Sequence, residues 1–180
     1  MYGMVNKAIE EMVCRAHGDE TWERIRQRAG VDVEVFVRNQ SYDDVCTYRL
    51  VGAAAAELGV APAEVLRAFG EYWVQYTGKA GYQSLMAAGG SNLKEFLTNL
   101  PNLHTRVIML YPKLIPPNFE CSDVRDGSLL LHYHSHREGL TEFVVGLVRG
   151  LGLMFGTPVE VTMHAARAEG ADHDVFRVSW

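Results

Sequence analysis

Apolar residues recur with helical spacing from the beginning of the chain to about residue 111. This pattern predicts helices over residues 4–15 and 21–29. Ser41 is expected to be the N-cap of a third helix, which has acidic residues in its first turn and ends near Leu58. The first part of the chain is therefore expected to be helical.

Two more helices complete this helical part. One begins near Pro62, a residue type favoured in the first turn, and its apolar face carries Trp73. The other is expected to be capped by Ser91. Pro101 lies in the continuation of this second helix and predicts a kink or a restart at that point.

The periodicity changes after residue 111. Three prolines, Pro112, Pro116 and Pro117, end the helix and impose extended backbone. Strands are predicted over residues 119–124, 128–137, 158–165 and 175–180, with a helix over residues 140–155. The predicted fold class is α+β: a helical N-terminal part followed by a four-stranded antiparallel sheet with packed helices.

Length and charge narrow the class of protein. The chain has 180 residues, is 48% hydrophobic and has a net charge of −5, so no basic field attracts nucleic acid or an anionic membrane. The most apolar segment, residues 140–155, contains charges and is too short to span a bilayer. The first residues include acidic side chains where a signal peptide needs an apolar core. We therefore expect one soluble, cytoplasmic domain.

The cysteines support neither a disulfide framework nor a structural zinc site. Cys14, Cys46 and Cys121 are an odd, widely spaced set. Reduced thiols in a reducing compartment are the expectation. For Cys121, an inert packed thiol is favoured over a redox role.

His104 is the first residue that could carry chemistry. It lies in register with apolar residues of the predicted helix and therefore faces inward. An inward histidine of this kind is more often a core residue bonded to a carbonyl group than a metal ligand. The spacing by itself leaves both interpretations open.

The second candidate is the predicted strand segment 131–137, whose alternate residues face opposite sides. One face carries Tyr133, Ser135 and Arg137, and the other carries His132, His134 and His136. Two hydroxyl groups and a guanidinium group together can bind carboxylates. An exposed polar strand face explains the same pattern.

The histidine face suggests a different chemistry. His132 and His134 could bind zinc as in zinc hydrolases, if a partner such as His164 or His173 completes the site. His136 is about 13 Å from His132 on a regular strand, too far to share the same ion. Solvent-exposed histidines are the stronger interpretation.

Taken together, these segments resemble H-NOX (haem-nitric oxide/oxygen binding) domains, the haem modules of soluble guanylate cyclase and of stand-alone bacterial sensors. The resemblance runs from end to end. The matching segments are the opening MYGMVN, FGEYW at 69–73, NLH at 102–104, Pro116-Pro117, the Y-x-S-x-R signature at 133–137, REGL at 137–140 and DHDVF at 172–176. The signature would be weak alone, but the combination is specific.

The resemblance implies the cofactor and its protein contacts. The cofactor would be haem b, with His104 as the proximal iron ligand and the Tyr133, Ser135 and Arg137 side chains around the propionates. Pro117 would press on the porphyrin from the proximal side, and Val5 would help to hold it distorted. The distal side would be lined by the region of Gly3, Val5 and Ile9 together with Trp73, Phe143 and Leu147. Residues 1–60 would form a helical subdomain, and residues 61–180 a haem-anchoring α/β subdomain of a single H-NOX domain.

The distal residues bear on which gas binds. Dioxygen-binding members that this chain resembles place a tyrosine on the helix after the signature, where it donates a hydrogen bond. The matching position here is Phe143, or Glu142 without a one-residue gap, and no tyrosine occurs between Tyr133 and Trp180. We therefore expect nitric oxide and carbon monoxide to bind a five-coordinate ferrous haem. A dioxygen sensor is the alternative within the family; a zinc hydrolase and an interaction domain without cofactor are remote.

The resemblance also implies how a signal would leave the protein. By this resemblance, nitric oxide would weaken the iron bond to His104, which would free the helix to move against the sheet and let the haem relax. A chain of 180 residues has no room for a kinase or cyclase domain. The expected partner is a separate sensor histidine kinase or cyclic-dinucleotide enzyme, and the chain itself is not expected to be an enzyme.

Overall fold

The helices of the N-terminal half surround the first hydrophobic cluster. The structure is a computed structural model that describes residues 1–77, 84, 86–111 and 114–180. Its first helices are α1 (Gly3–His17), α2 (Asp19–Arg28), α3 (Asp44–Leu58) and α4 (Pro62–Tyr72), and α4 continues into a π-helical turn, Trp73–Thr77. The helices α5 (Leu93–Thr98) and α6 (Leu100–Leu110) follow. Pro112, one of the predicted helix stops, lies outside the described residues.

The C-terminal half contains the sheet. Its strands are β1 (Asn118–Ser122), β2 (Ser128–His134), β3 (Glu160–Ala165) and β4 (Asp174–Ser179), in the antiparallel order β1-β2-β4-β3. Helix α7 (Thr141–Phe155) connects β2 with β3. This arrangement confirms the predicted α+β class, with four antiparallel strands and packed helices. Among the described residues, no helix has both the length and the apolar character that a bilayer crossing requires.

Two predicted helix caps are wrong. Asp43, rather than Ser41, caps α3, and its carboxylate accepts a hydrogen bond from the backbone N–H of Val45 at 3.0 Å. Asn92, rather than Ser91, caps α5 by accepting from the Glu95 N–H at 2.9 Å. Both segments offer adjacent residues of good capping type, so the sequence did not distinguish between them.

The break at Pro101 is confirmed. Helix α5 ends before Asn99, and α6 restarts with Pro101 in its first turn, where the missing N–H of proline does no harm. His104 therefore belongs to a different helix from Leu93 and Leu97. The helical register predicted across all three residues does not run through a single helix.

Strand β2 is shorter than predicted. It ends at His134, three residues before the predicted end at Arg137. The Ser135 hydroxyl accepts a hydrogen bond from the Arg137 backbone N–H at 3.0 Å. This local bond competes with the strand ladder and turns the chain away from the sheet.

Buried apolar residues form two clusters. The first joins α1 to α4 and includes Ile9, Leu50 and Phe69, and the second joins α5, α7 and the sheet. The buried side chains of α4 thus belong to the first cluster, although the boundary predicted after residue 60 places α4 in the second subdomain. The subdomain division itself stays a prediction.

The backbones of helices α4 and α7 are in direct contact at two glycines. A Cβ atom added to Gly146 would overlap the carbonyl oxygen of Arg67, and one added to Gly70 would overlap the carbonyl oxygen of Phe143. Only glycine permits such an approach. The contact fixes the separation between the side chains that α4 and α7 present to the interior.

Candidate functional site

A largely apolar cavity lies between the helices and the sheet. It is bordered by α1, α3, α4, α6 and α7, by the segment before β1 and by β1 and β2. The predicted site residues that line it are Val5, Trp73, His104, Pro117, Tyr133, Ser135, Arg137, Phe143 and Leu147. The structure thus brings together residues that are more than a hundred positions apart in sequence.

Ile9 is the predicted site residue that does not line this cavity. Its side chain is fully buried within the first hydrophobic cluster. Helix α1 reaches the cavity only through its beginning, where Met4 and Val5 face it. Gly3 also lies away from the cavity wall, against the backbone of Val37 and the ring of Tyr42.

His104 combines burial with an unused nitrogen. The imidazole lies beside the ring of Phe119, with 5.6 Å between ring centroids. Its Nδ1 atom is buried and has no hydrogen-bond partner among the described residues. Burial lowers the pKa of His104, and the backbone of Pro117 partly opposes this change. The lowered pKa favours the neutral imidazole, whose unpaired Nδ1 atom can offer a lone pair to a metal ion in the apolar cavity.

The signature residues stand on another side of the cavity. Tyr133 is buried on β2, and burial raises the pKa of its hydroxyl, while Ser135 and Arg137 oppose this change. The Arg137 guanidinium donates from Nε to Asp44 Oδ2 at 2.7 Å and from Nη1 to the Ile115 carbonyl at 2.9 Å. A guanidinium has five N–H groups, so further donors remain for an anion.

Asp44 is a site residue that the sequence did not reveal. Its carboxylate accepts from Arg137 and also contacts the amino group of Met1. Burial raises the pKa of Asp44, but the hydrogen bonds from the Met1 amine and Arg137 hold it below its usual value overall. In sequence, Asp44 is an ordinary acidic residue of a first helical turn, and nothing pointed to a partner 93 positions away.

Aromatic and aliphatic side chains form the wall made by α4 and α7. The Phe69 ring stacks on Phe143 at 4.9 Å and meets Trp73 edge-on at 5.9 Å between centroids. Helix α7 contributes Phe143, Val144 and Leu147 to the cavity, and none of these carries a hydroxyl group. Trp73 opens a π-helical turn, a local irregularity that often occurs at functional sites.

Besides Tyr133, three tyrosines that the sequence did not mark as site residues line the cavity. They are Tyr2, Tyr48 and Tyr111. The Tyr48 hydroxyl donates to the Glu138 carbonyl at 2.9 Å, and the Tyr2 and Tyr111 rings meet edge-on. Tyr2 belongs to the opening segment that resembles the family, whereas nothing in the local pattern around Tyr48 or Tyr111 points to a cavity.

The residues present fit a haem group. A flat apolar macrocycle with a central metal ion and two carboxylates needs an apolar cavity, one metal-binding nitrogen and an anion-binding edge. The cavity offers the unpaired nitrogen of His104 and the guanidinium of Arg137. A buried polar atom without a partner costs about 1–3 kcal/mol, so a metal ion bound to the lone pair of this nitrogen would remove that penalty.

Cys121 lies outside the cavity lining. Its thiol contacts the Leu97 carbonyl at 3.5 Å, and burial raises the pKa of the thiol to about 11. A thiol with so high a pKa has little reactive thiolate at neutral pH.

The opposite side of β2 carries a separate histidine cluster. His134 stacks on His173, with 3.8 Å between ring centroids, and the two lie beside Asp172. His132 contacts His173 but does not belong to the group that could share a metal ion. Of the partners that the sequence suggested for a zinc site, the structure therefore brings His173 to His134 and leaves His164 outside.

Comparison with known proteins also points to haem binding. Residues 2–163 match the family described as Haem-NO-binding (HNOB). The chain is 33% identical over 152 residues to soluble guanylate cyclase gcy-32 of Caenorhabditis elegans, covering 83% of this chain and 22% of that protein. It is 31% identical over 191 residues to gcy-35 of the same organism, covering 99% and 27%. The chain thus spans about a quarter of the length of these relatives.

Solved structures share the fold. The H-NOX protein from S. oneidensis in the Fe(II)NO ligation state superposes with a TM-score of 0.88 at 21% identity, covering 99% of this chain and 98% of the other. The Fe(II) unliganded H-NOX protein from K. algicida gives a TM-score of 0.86, also at 21% identity, covering 99% and 96%. H-NOX domains are sensor domains and not catalytic ones. With its family match over nearly the whole length, this chain belongs to the Haem-NO-binding family and is an H-NOX haem-binding gas-sensor domain related to the soluble guanylate cyclases.

Proposed function

We propose that this protein is a cytoplasmic sensor of nitric oxide and carbon monoxide that binds haem b through His104. The single observation that carries the proposal is the buried Nδ1 atom of His104, which lacks a hydrogen-bond partner among the described residues. Haem bound there would supply an iron atom that can bind the gas. The remaining steps belong to the chain's own side chains.

The signature residues would hold the propionates. Arg137 is already oriented by Asp44 and by the Ile115 carbonyl, so little side-chain entropy is lost when an anion binds. The hydroxyl groups of Tyr133 and Ser135 line the same cavity and add directed hydrogen bonds. Pro117 lies at the entrance to β1 beside His104, in a place suited to press on the porphyrin.

The wall formed by α4 and α7 supports nitric oxide over dioxygen. A bound dioxygen is polarised and gains from a nearby hydrogen-bond donor, whereas nitric oxide needs none. Phe143, Val144 and Leu147 offer no donor from α7. Trp73 carries an indole N–H, but its ring is packed edge-on against Phe69, and we assign it a shielding role.

The proposed switch uses the separation of the two anchors. His104 lies on α6, whereas Tyr133 lies on β2 and Arg137 lies beyond its end. Loosening His104 would free α6 to move while the residues around the propionates stay in place. Such a two-state element can bias a partner, which we propose to be a separate sensor histidine kinase or cyclic-dinucleotide enzyme.

Absorption spectra of the purified protein test this proposal. The protein is reduced without air and then exposed to nitric oxide, to carbon monoxide and, separately, to oxygen. A Soret band that shifts with nitric oxide and carbon monoxide but not with oxygen is the expected result. A stable oxygen complex would identify a dioxygen sensor, and a protein without a haem band after reconstitution would overturn the proposal.

A further inference from the structure

The histidine face of β2 holds three metal-binding side chains close together. His134 is the last residue of β2, and Asp172 and His173 immediately precede β4. One donor atom from each lies within 4.8 Å of one donor atom from the other two. Strands β2 and β4 are paired, with Tyr133 opposite Asp174, so the backbone itself brings the three residues together.

The polar contacts around His173 are compatible with those of a metal ligand. Its Nδ1 atom lies 3.1 Å from Asp172 Oδ2, close to the separation of two neighbouring ligands in a tetrahedral site. Its Nε2 atom lies 2.8 Å from His132 Nδ1. A metal on Nδ1 places the ring proton on Nε2, which then donates to His132. Ligating histidines commonly donate their second N–H to a carboxylate, a carbonyl group or water, which fixes the ring orientation, and His132 would take that place here.

The outer end of this chain of hydrogen bonds is also fixed. His132 Nε2 lies 2.7 Å from the Ser122 hydroxyl on β1. His132 is thus held between Ser122 and His173, and the His173 ring is oriented before any ion arrives. Preorganisation of this kind increases affinity, because fewer rotamers are lost on binding.

We propose that His134, Asp172 and His173 bind one divalent transition-metal ion of the zinc type. Two imidazole nitrogens suit zinc better than calcium or magnesium, and zinc also binds sets of two histidines and one carboxylate. Three protein ligands leave a coordination position for water. His134 and His173 are half-buried whereas Asp172 is exposed, so the ion can enter from solvent.

The site is distinct from the haem cavity, although the two are neighbours. His134, Asp172 and His173 line a second, polar pocket, and Tyr133, Ser135 and Arg137 border both pockets. A metal ion here would join the end of β2 to the segment before β4. The inference does not depend on the proposed gas ligand, and its failure would leave the haem assignment untouched.

Zinc binding to the haem-loaded protein tests the inference. The protein is titrated with Zn²⁺ alone by calorimetry, and the retained zinc is measured after dialysis. One zinc ion per chain is expected. The His134→Gln and His173→Gln substitutions should each weaken zinc binding by at least about tenfold, the scale seen when even outer-shell partners are lost. The Soret band, read on the same samples, shows whether each variant remains folded.

Two histidine substitutions outside the group are the matched controls. His136→Gln changes an exposed histidine of the same pocket, and His17→Gln changes an exposed one at the end of α1. Both should bind zinc with unchanged affinity. If a ligand variant loses its Soret band, the zinc X-ray absorption spectrum of the unmodified protein decides, with imidazole nitrogens expected at about 2.0–2.1 Å. Failure of the unmodified protein to bind one zinc ion, or equal binding by the His134→Gln/His173→Gln double variant, would overturn the inference.

Discussion

The two sides of strand β2 hold histidines in opposite situations. On the Tyr133 side, the apolar cavity contains His104, whose buried Nδ1 atom has no partner among the described residues. On the other side, His132 and His173 are hydrogen-bonded to each other and to the side chains of Ser122 and Asp172. An unpaired polar atom in an apolar cavity is costly, whereas hydrogen-bonded polar atoms near solvent are not. The His104 nitrogen would therefore gain from a bound group, whereas the histidines of the other side are already hydrogen-bonded without one.

Removing the His104 imidazole is expected to give the largest effect. In His104→Gly, haem retention should fall to less than about a tenth of that of the unmodified protein, because the proposed metal ligand is lost. Added imidazole should restore binding by filling the space left by the side chain. The absorbance ratio of the Soret band to the protein band measures both results.

A substitution on each side of β2 serves as the control for the other side. The His134→Gln variant should keep its haem, and His104→Gly should keep its zinc affinity. A normal five-coordinate spectrum from His104→Gly without added imidazole would contradict the assignment of His104. Loss of haem from His134→Gln would show that the two sides are not independent.

The substitution Gly146→Ala, which adds a methyl group between α4 and α7, tests whether the contact between these two helices can adjust. The Cβ of Gly146→Ala would overlap the Arg67 carbonyl oxygen, so one helix must shift. We expect the free energy of unfolding to fall by about 3 kcal/mol, at the upper end of overpacking effects. Urea unfolding of the haem-loaded protein measures this change.

Gly52→Ala is the matched control for Gly146→Ala. Gly52 lies within α3, and a Cβ there would meet nothing within 4 Å. Alanine should therefore stabilise the protein by about 0.5–1 kcal/mol through its better helix propensity. Equal destabilisation by both substitutions would refute the close-packing explanation.

The sequence predicted the parts of this site that follow local rules. Alternation along a strand assigned Tyr133 and His134 to opposite sides, and helical spacing turned His104 inward. It failed where a third element decides the outcome. Arg137 pairs with Asp44, which belongs to α3. Gly70 and Gly146 allow the backbones of α4 and α7 to touch. The local sequence pattern around these residues indicates neither contact.

Ile9 shows the same limit on the scale of one helical turn. The resemblance implied that Val5 and Ile9 both line the distal side, and the two residues, four positions apart, share a helix face. Only the beginning of α1 borders the cavity, and one turn later the same face packs into the first hydrophobic cluster. Periodicity identifies the buried face of a helix but not the neighbour that this face meets.

A hydroxyl group added to α7 would give that wall of the apolar cavity a hydrogen-bond donor, as the histidine side of β2 already has. Phe143→Tyr places a hydrogen-bond donor in the cavity without changing the helix. One hydrogen bond of about 1.4 kcal/mol would raise dioxygen affinity roughly tenfold. Oxygen titration of the reduced protein measures this change. Leu153→Tyr, at an exposed position of the same helix, is the control and should bind oxygen no better than the unmodified protein.

The smallest expected effect lies where the two pockets meet, at the ion pair of Arg137 with Asp44. The pKa of Asp44 is lowered in the folded protein, although burial opposes this, by its bonds to the Met1 amine and Arg137. A lowered pKa stabilises the fold above the unfolded value of about 3.9. This stabilisation is lost as the pH falls through the lower folded value. Because the Asp44 carboxylate is one-third exposed, we expect less than about 1 kcal/mol.

Urea unfolding between pH 3 and pH 6 isolates this contribution. The difference in unfolding free energy between the unmodified protein and Asp44→Asn should shrink as the pH falls below about 4. Arg137→Gln should reduce the same difference at pH 6, and the double variant gives the coupling between the two side chains. A difference that stays constant with pH would mean that Asp44 is merely a neighbour of Arg137. A difference that shrinks, together with a coupling between Asp44 and Arg137 in the double variant, would show that Asp44 holds the guanidinium in place through charge.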